Sequence, residues 1–323
     1  MERFLGSRYQ GIIMIISASY KTDIPAFYGE WFINRLDAGY CKMVNPYNKH
    51  QVSRISLRRE DVDGFVFWTK NLGPFIKRLE TVNQFGRPFT VLYTITAYHR
   101  ALESYVVDSE RSIQHMKTLA ETYGPRVAVW RYDPILITSL TPIEFHLKNF
   151  DRLARDLEGT TDEVVISFAQ LYKKTLRHLD KAAHEFGFDW EDPSDEIKLS
   201  LVAELAKIAK NHGMQMTICS QRQYLAPGVK AARCVDARRL SDIGKRPIRA
   251  KLKGNRPDCK CYASTDIGEY DTCPHGCVYC YAVRNRNIAL KRYKEHDPES
   301  EFLFSSSEDA VAHDDGIIQT TLF

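Results

Sequence analysis

Short apolar runs alternate with longer segments of helical period from residue 11 onwards. Six of the runs are dense in Val, Ile, Phe or Tyr, as strands buried on both faces are. They are Ile12–Ser17, Gly64–Trp68, Phe89–Ile95, Val127–Arg131, Val164–Phe168 and Met214–Cys219. The alternation predicts an α/β fold of βα units around a parallel sheet, as an open doubly wound sheet or as a partial barrel of six units.

Helix start and stop signals support this order of elements. Asp23 or Thr22 with Pro25 opens a helix that is predicted to end at Gly39, and Ser194 opens another. A third amphipathic stretch covers Ala101–Tyr123. These helices fill the intervals between the predicted strands.

Polar side chains follow the predicted strands at their carboxyl ends. In both open sheets and barrels these ends meet at one rim, where ligands bind. The candidates for cofactor binding at this rim are Ser17, Ser19, Lys70, Arg131, Asp133 and Ser167. Because buried charges are normally paired, ion pairs of Arg131 with Asp133 and of Lys70 with Asp23 are the alternative.

The strand and helix pattern stops after Gln221. Residues 222–256 hold eleven Lys or Arg and two Asp, a local charge of +9 in a chain of net charge +4, so the remainder carries −5. Such a segment is either a phosphate-binding surface or a solvated linker. We predict a barrel over residues 11–221, a basic and cysteine-rich extension over 222–294, and a loosely ordered acidic tail over 295–323.

No run of eighteen apolar residues and no secretory leader pattern occurs, which predicts a cytoplasmic protein without a membrane partner. Reducing conditions there argue against disulfides and favour metal-binding or catalytic roles for the eight cysteines. Cys41 stands alone and is expected to be a packed side chain. The other seven all follow position 218.

Cys273, Cys277 and Cys280 lie on one short loop, separated by gaps of three and two residues. Three soft thiolates suit a [4Fe–4S] cluster and leave one iron open. That iron can take the amino and carboxylate groups of S-adenosylmethionine, so that an electron from the cluster yields a 5′-deoxyadenosyl radical. Zinc is the alternative, with Cys261, His275 or a distant thiol as its fourth ligand.

A second group of thiols consists of Cys219, Cys234, Cys259 and Cys261. Four thiolates are a ligand set for a second [4Fe–4S] cluster or for a structural zinc. The Cys-x-Cys spacing by itself is a weak signal, and Cys219 is also placed to line the pocket.

Several short motifs together resemble the domain of unknown function 1848 family over about Ile12 to Arg286. They are Ser17-Ala18-Ser19 with Thr22-Asp23-Ile24-Pro25-Ala26, Asn45-Pro46, Phe67-Trp68-Thr69-Lys70-Asn71, Arg131-Tyr132-Asp133-Pro134 and Asp266-Ile267-Gly268. This resemblance implies a bacterial or archaeal protein and supplies no substrate.

The cysteine loop also resembles that of the radical S-adenosylmethionine superfamily and, more distantly, of spore photoproduct lyase. This likeness implies a six-unit partial barrel of the TIM type with a C-terminal cysteine-rich extension carrying the cluster loop, together with a reductant such as flavodoxin or ferredoxin. The superfamily's loop normally follows the first strand, whereas here it follows the sixth, and Thr69-Lys70-Asn71 replaces the usual Gly-Gly-Glu. These departures indicate a rearranged or permuted barrel.

The leading hypothesis is therefore a radical S-adenosylmethionine enzyme that abstracts a hydrogen atom from a substrate of unassigned identity. The basic segment favours a phosphate-bearing substrate or a nucleic acid. A zinc-stabilised nucleic-acid-binding protein and an iron–sulfur electron carrier are the alternatives.

Overall fold

A parallel eight-stranded sheet forms the centre of the computed structural model, which describes residues 14–45, 48–254 and 256–304. The strands are β1 Met14–Ala18, β2 Tyr40–Asn45, β3 Asn48–Ser56, β4 Val62–Thr69, β5 Phe89–Thr94, β6 Ala128–Ile135, β7 Ile137–Thr138, β8 Glu163–Phe168, β9 Trp190–Glu191, β10 Gln215–Ile218, β11 Lys230–Ala231 and β12 Thr265–Asp266. The helices are α1 Ile24–Phe27, α2 Gly29–Ala38, α3 Leu79–Gln84, α4 Ser109–Tyr123, α5 Ile143–Asp156, α6 Lys173–Phe186, α7 Asp195–Asn211, α8 Ala237–Gly244 and α9 Arg286–Lys294.

The strand order in the sheet is β11-β10-β8-β6-β5-β4-β1-β12. The six predicted strands correspond to β1, β4, β5, β6, β8 and β10, and they are neighbours in chain order. The eight-strand sheet confirms the mixed α/β class and the parallel arrangement. Strands β11 and β12 add one strand to each edge, and their two-residue length leaves no periodic signal in the sequence.

The two faces of the sheet are covered by different parts of the chain. Ile16, Phe65 and their counterparts on the other strands pack against helices α2, α4, α5 and α7. On the opposite face, Ile15 and Val66 pack against residues 232–262 of the C-terminal part. We call this second side the inner face. Because side chains alternate along a strand, Ser17 and Trp68, two positions beyond Ile15 and Val66, also belong to it.

Local signals placed some helix ends correctly. Asp23 accepts a hydrogen bond from the backbone nitrogen of Ala26 at 3.0 Å, and Gly39 ends α2 with a φ of 75°. The single helix predicted between them is instead two helices, divided at Tyr28. The structure also contains an antiparallel β2–β3 pair that the apolar pattern of the sequence did not predict.

The predicted helix over residues 101–123 begins at Ser109, not at Ala101. The backbone before it is held by another segment, because the nitrogen of Tyr105 donates to the carbonyl of His275 at 3.0 Å. This long-range hydrogen bond competes with the helical one, so local propensity does not decide the conformation.

The first part of the predicted tail, residues 295–304, contacts the helices and strands of the fold. Trp31 Nε1 donates to the carbonyl of Ser300 at 2.9 Å, and Lys42 Nζ lies 2.8 Å from Glu301 Oε2. These contacts join the segment to α2 and β2. The rest of the predicted tail, 305–323, lies outside the described residues. Within the described ranges, no helix combines the length and apolar character needed to cross a bilayer.

Acid is expected to destabilise the protein through His146 of α5. This fully buried ring contacts Tyr132 Oη at 2.9 Å and the carbonyl of Leu136 at 3.1 Å, and burial lowers its pKa to about 4. The unfolded chain therefore binds a proton between about pH 6.5 and 4 that the folded chain does not. Stability falls by about 3 kcal/mol across this interval and stays level below it.

Urea unfolding at pH 7, 5.5 and 4.5 measures this loss. His146→Leu should show a shallower pH slope, whereas the matched change of exposed His184 to Leu should keep the original one. Equal slopes in wild type and His146→Leu would contradict the assignment.

Candidate functional site

The loop of residues 273–280, named the cysteine loop, folds back over the carboxyl ends of β1, β4 and β5. The nitrogen of Val278 donates to the carbonyl of Leu102 at 3.1 Å, in the segment after β5. On the other side, His275 Nε2 lies 2.8 Å from Asp23 Oδ2, in the segment after β1. Contacts on both sides thus fix the loop above the rim.

The three thiols of the cysteine loop are half-buried and interact electrostatically with one another. Burial raises the pKa of Cys277, and the nearby ammonium of Lys70 opposes this rise. Lys70 acts on Cys280 in the same direction. Cys277 and Cys280 therefore lie near a cation of the rim. Gly276 has a φ of 75°, and a Cβ there would lie 3.0 Å from Arg286 Cδ, so the turn requires glycine.

Lys70 and Glu103 form a buried ion pair beneath this loop. Their Nζ and Oε1 atoms are 2.8 Å apart, and Glu103 also accepts from Thr96 Oγ1 at 2.6 Å and from the Tyr279 hydroxyl. Burial alone would lower the pKa of Lys70, but the charges of Glu103 and Cys277 outweigh it and raise that pKa. Burial would likewise raise the pKa of Glu103, yet Lys70 and the hydrogen bonds lower it. Both groups are charged.

The ion pair of Lys70 with Asp23 that the sequence offered as an alternative is wrong, because the Lys70 ammonium pairs with Glu103. The Asp23 carboxylate instead accepts from the backbone nitrogen of Lys70 at 2.7 Å and contacts His275. Glu103 forms the ion pair with the Lys70 side chain because the turn after β5 brings the Glu103 carboxylate under the cysteine loop. No sequence pattern marked Glu103, which lies in a region predicted as helix.

Ser17 and Ser19 bind the chain's own Asp266. Their hydroxyls donate to its two carboxylate oxygens at 2.9 and 2.7 Å. Gly268 permits this approach, since a Cβ there would lie 1.9 Å from Ser19 Oγ. Asp266 belongs to β12, so these bonds attach the C-terminal part to β1.

Arg131 and Asp133 form the ion pair considered from the sequence, on the inner face beyond Val129. Ser167 donates its hydroxyl proton to the same carboxylate. The other end of the guanidinium, Nη1, lies 3.0 Å from Cys234 Sγ. Burial would lower the pKa of Arg131, but the charge of Asp133 and the neighbouring sulfurs raise it. Arg131 thus faces the second group of thiols.

Cys219, Cys234, Cys259 and Cys261 meet on the inner face. The sulfurs of Cys219 and Cys234 are 3.8 Å apart, and the thiol of Cys261 interacts with those of Cys234 and Cys259. Across residues 14–45, 48–254 and 256–304, no three or more His, Cys, Asp or Glu side chains already surround one point as a single bound ion requires. Cys41 is packed in the core on the helix-covered side, away from both groups.

A family model described as a domain of unknown function, DUF1848, matches residues 15–282. The chain belongs to the DUF1848 family. The match begins within β1 and includes the cysteine loop and all four thiols of the second group, so the candidate site residues lie within the DUF1848 domain.

The comparison with curated proteins gave no match. Two solved structures are similar to part of this DUF1848 chain. A crystal structure of D-hydantoinase has 11% identity and a TM-score of 0.28, over 64% of this chain and 40% of its own. A D-hydantoinase from a Bacillus sp. AR9 has 10% identity and a TM-score of 0.29, over 73% and 44%. The DUF1848 chain thus spans less than half of either structure, and at these scores neither carries an argument.

Proposed function

We propose that this protein is a radical S-adenosylmethionine enzyme that holds a [4Fe–4S] cluster on Cys273, Cys277 and Cys280. In this proposal the sheet is a six-unit partial barrel, and residues 222–294 form the extension that carries the cluster loop. The observation that supports it is the position of three mutually interacting thiols on one loop above the strand ends, beside the ammonium of Lys70.

The chemistry of the three thiols fits such a cluster. All eight cysteines lie among the described residues. Of the five outside the cysteine loop, four form the second thiol group and the fifth, Cys41, lies in the core. No further cysteine therefore joins the loop, which leaves one iron of a four-iron cluster without a thiolate. When bound and reduced, the cluster supplies the electron that splits S-adenosylmethionine and yields the 5′-deoxyadenosyl radical.

The protein's own residues hold the loop and place charge beside it. The contact of His275 with Asp23 and the backbone bond of Val278 to Leu102 fix the thiols. Glu103 keeps Lys70 at the rim, and we assign Lys70 to the carboxylate of S-adenosylmethionine, because it is the predicted rim cation that acts on two loop thiols.

The other predicted rim residues, Ser17, Ser19, Arg131, Asp133 and Ser167, remain candidates for the ribose and amine. Each is already hydrogen-bonded within the protein. Contact with the cofactor would therefore add to these bonds or replace them, as it would add to or replace the bond of Lys70 to Glu103. Lys70 is preferred because its charge acts on two of the loop thiols.

A phosphate-bearing substrate is favoured by the exposed cations of the C-terminal part. Those exposed in residues 222–256 are Arg222, Lys230, Arg238, Lys245, Arg249, Lys251, Lys253 and Arg256. Hydrogen-atom abstraction from such a substrate would need an external one-electron donor, of the flavodoxin or ferredoxin class.

Anaerobic reconstitution with iron and sulfide tests the function. We expect a brown protein with about four irons on the cysteine loop, and 5′-deoxyadenosine after addition of dithionite and S-adenosylmethionine. A colourless protein that contains only zinc would refute the proposal. A cluster that forms but does not bind S-adenosylmethionine in calorimetric titration would identify an electron carrier instead.

A further inference from the structure

The second thiol group is built from three separate segments that meet on the inner face. Cys219 follows β10, Cys234 follows β11, and Cys259 and Cys261 lie in a turn whose flanks are joined by the hydrogen bond from Lys253 N to the carbonyl of Cys261 at 2.9 Å. Together with the 3.8 Å separation between Cys219 and Cys234, the thiol interactions form a continuous chain from Cys219 to Cys259.

Hydrogen-bond donors point at these sulfurs. Arg131 Nη1 lies 3.0 Å from Cys234 Sγ, Arg256 Nη2 lies 3.7 Å from Cys219 Sγ, and the backbone nitrogen of Val235 lies 3.4 Å from Cys261 Sγ. Cysteines that only fill a core act as small apolar side chains and call for no such donors. Guanidinium groups directed at sulfur are expected around thiolates, whose charge they offset.

We propose that Cys219, Cys234, Cys259 and Cys261 bind one structural Zn²⁺ ion, separate from the cysteine loop. Tetrahedral Zn–S bonds of about 2.3 Å place the sulfurs about 3.8 Å apart, which is the separation between Cys219 and Cys234. In an iron–sulfur cube each thiolate binds a different iron, so the sulfurs stand further apart. The four thiols now contact one another in a row. Bound zinc would bring Cys259 closer to the other three, so that the four sulfurs form a tetrahedron.

Charge and fold agree with this assignment. Four thiolates on Zn²⁺ carry two negative charges, which Arg256 and Arg131, the latter also paired with Asp133, offset in part. Between α8 and β12 the described residues form neither helix nor strand beyond the isolated bridge of Leu252 with Tyr262. A metal site would stabilise this irregular segment against the sheet, where few backbone hydrogen bonds do so.

Metal analysis of the full-length protein, purified anaerobically, separates the two sites. We expect about one zinc per chain in both wild type and Cys277→Ser, and less than about a tenth of that in Cys234→Ser. Cys41→Ala is the matched control and should keep the zinc. Cobalt added to the zinc-depleted protein should give thiolate charge-transfer and tetrahedral absorption bands that Cys234→Ser lacks.

Cys259→Ser is a second variant for the case in which Cys234→Ser does not fold. The Cys259 thiol is only half-buried and lies at the end of the row of thiol contacts described above. It should fold and lose the cobalt thiolate absorption in part. Iron and sulfide retained by Cys277→Ser, a disulfide between Cys219 and Cys234, or folded wild type that takes up neither zinc nor cobalt would each overturn the proposal. None of these results depends on radical activity.

Discussion

Replacing Cys277 with Ser is expected to abolish cluster assembly on the cysteine loop and to lower 5′-deoxyadenosine formation by more than about 100-fold. A hydroxyl is a harder and less acidic ligand than a thiolate, so the remaining two thiols cannot hold an iron–sulfur cube. Iron content, the visible absorption of the reconstituted protein and product formation measure the loss.

The fold should survive this substitution. The loop is fixed by the contact of His275 with Asp23 and by backbone bonds to the segment after β5, none of which involves the Cys277 thiol. Cys41→Ala, which removes a thiol from the core, should retain cluster and product. A Cys277→Ser protein that assembles the same cluster with undiminished product would exclude Cys277 as a ligand.

Replacing Lys70 with Met is expected to lower the free energy of unfolding by about 3–5 kcal/mol, because it leaves the Glu103 carboxylate buried without its counter-charge. The side chains of Lys70 and Glu103 are only 13% and 4% exposed. Met has nearly the same length as Lys, so little packing is lost. Chemical denaturation of the unreconstituted protein measures the change.

The double variant Lys70→Met with Glu103→Gln should recover part of this loss, since neither charge then remains unpaired. Lys207→Met is the matched control on an exposed pair with Glu204 at 2.6 Å, and should cost less than about 1 kcal/mol. Equal losses of unfolding free energy in Lys70→Met and Lys207→Met would refute the ion pair assigned to Lys70 at the rim. In reconstituted Lys70→Met, weaker binding of S-adenosylmethionine with unchanged iron content is expected.

The two groups of cysteines illustrate different limits of inference from sequence. Cys273, Cys277 and Cys280 were recognisable as one unit because their spacing is local, and a single short loop carries them. Cys219 and Cys259 were grouped only by number and residue type. Their meeting depends on β11 and the turn after α8 both lying on the inner face, which no local pattern encodes.

The sequence by itself determined the six main strands, the polar character of their carboxyl ends and the spacing of the cysteine loop, because apolar periodicity and short-range spacing reflect local backbone geometry. Only the tertiary structure decided that Glu103 pairs with Lys70, that Asp266 receives Ser17 and Ser19, and that Arg131 faces Cys234. These partners are far apart in the chain, and their meeting follows from the order of strands and the return of the C-terminal part over the sheet.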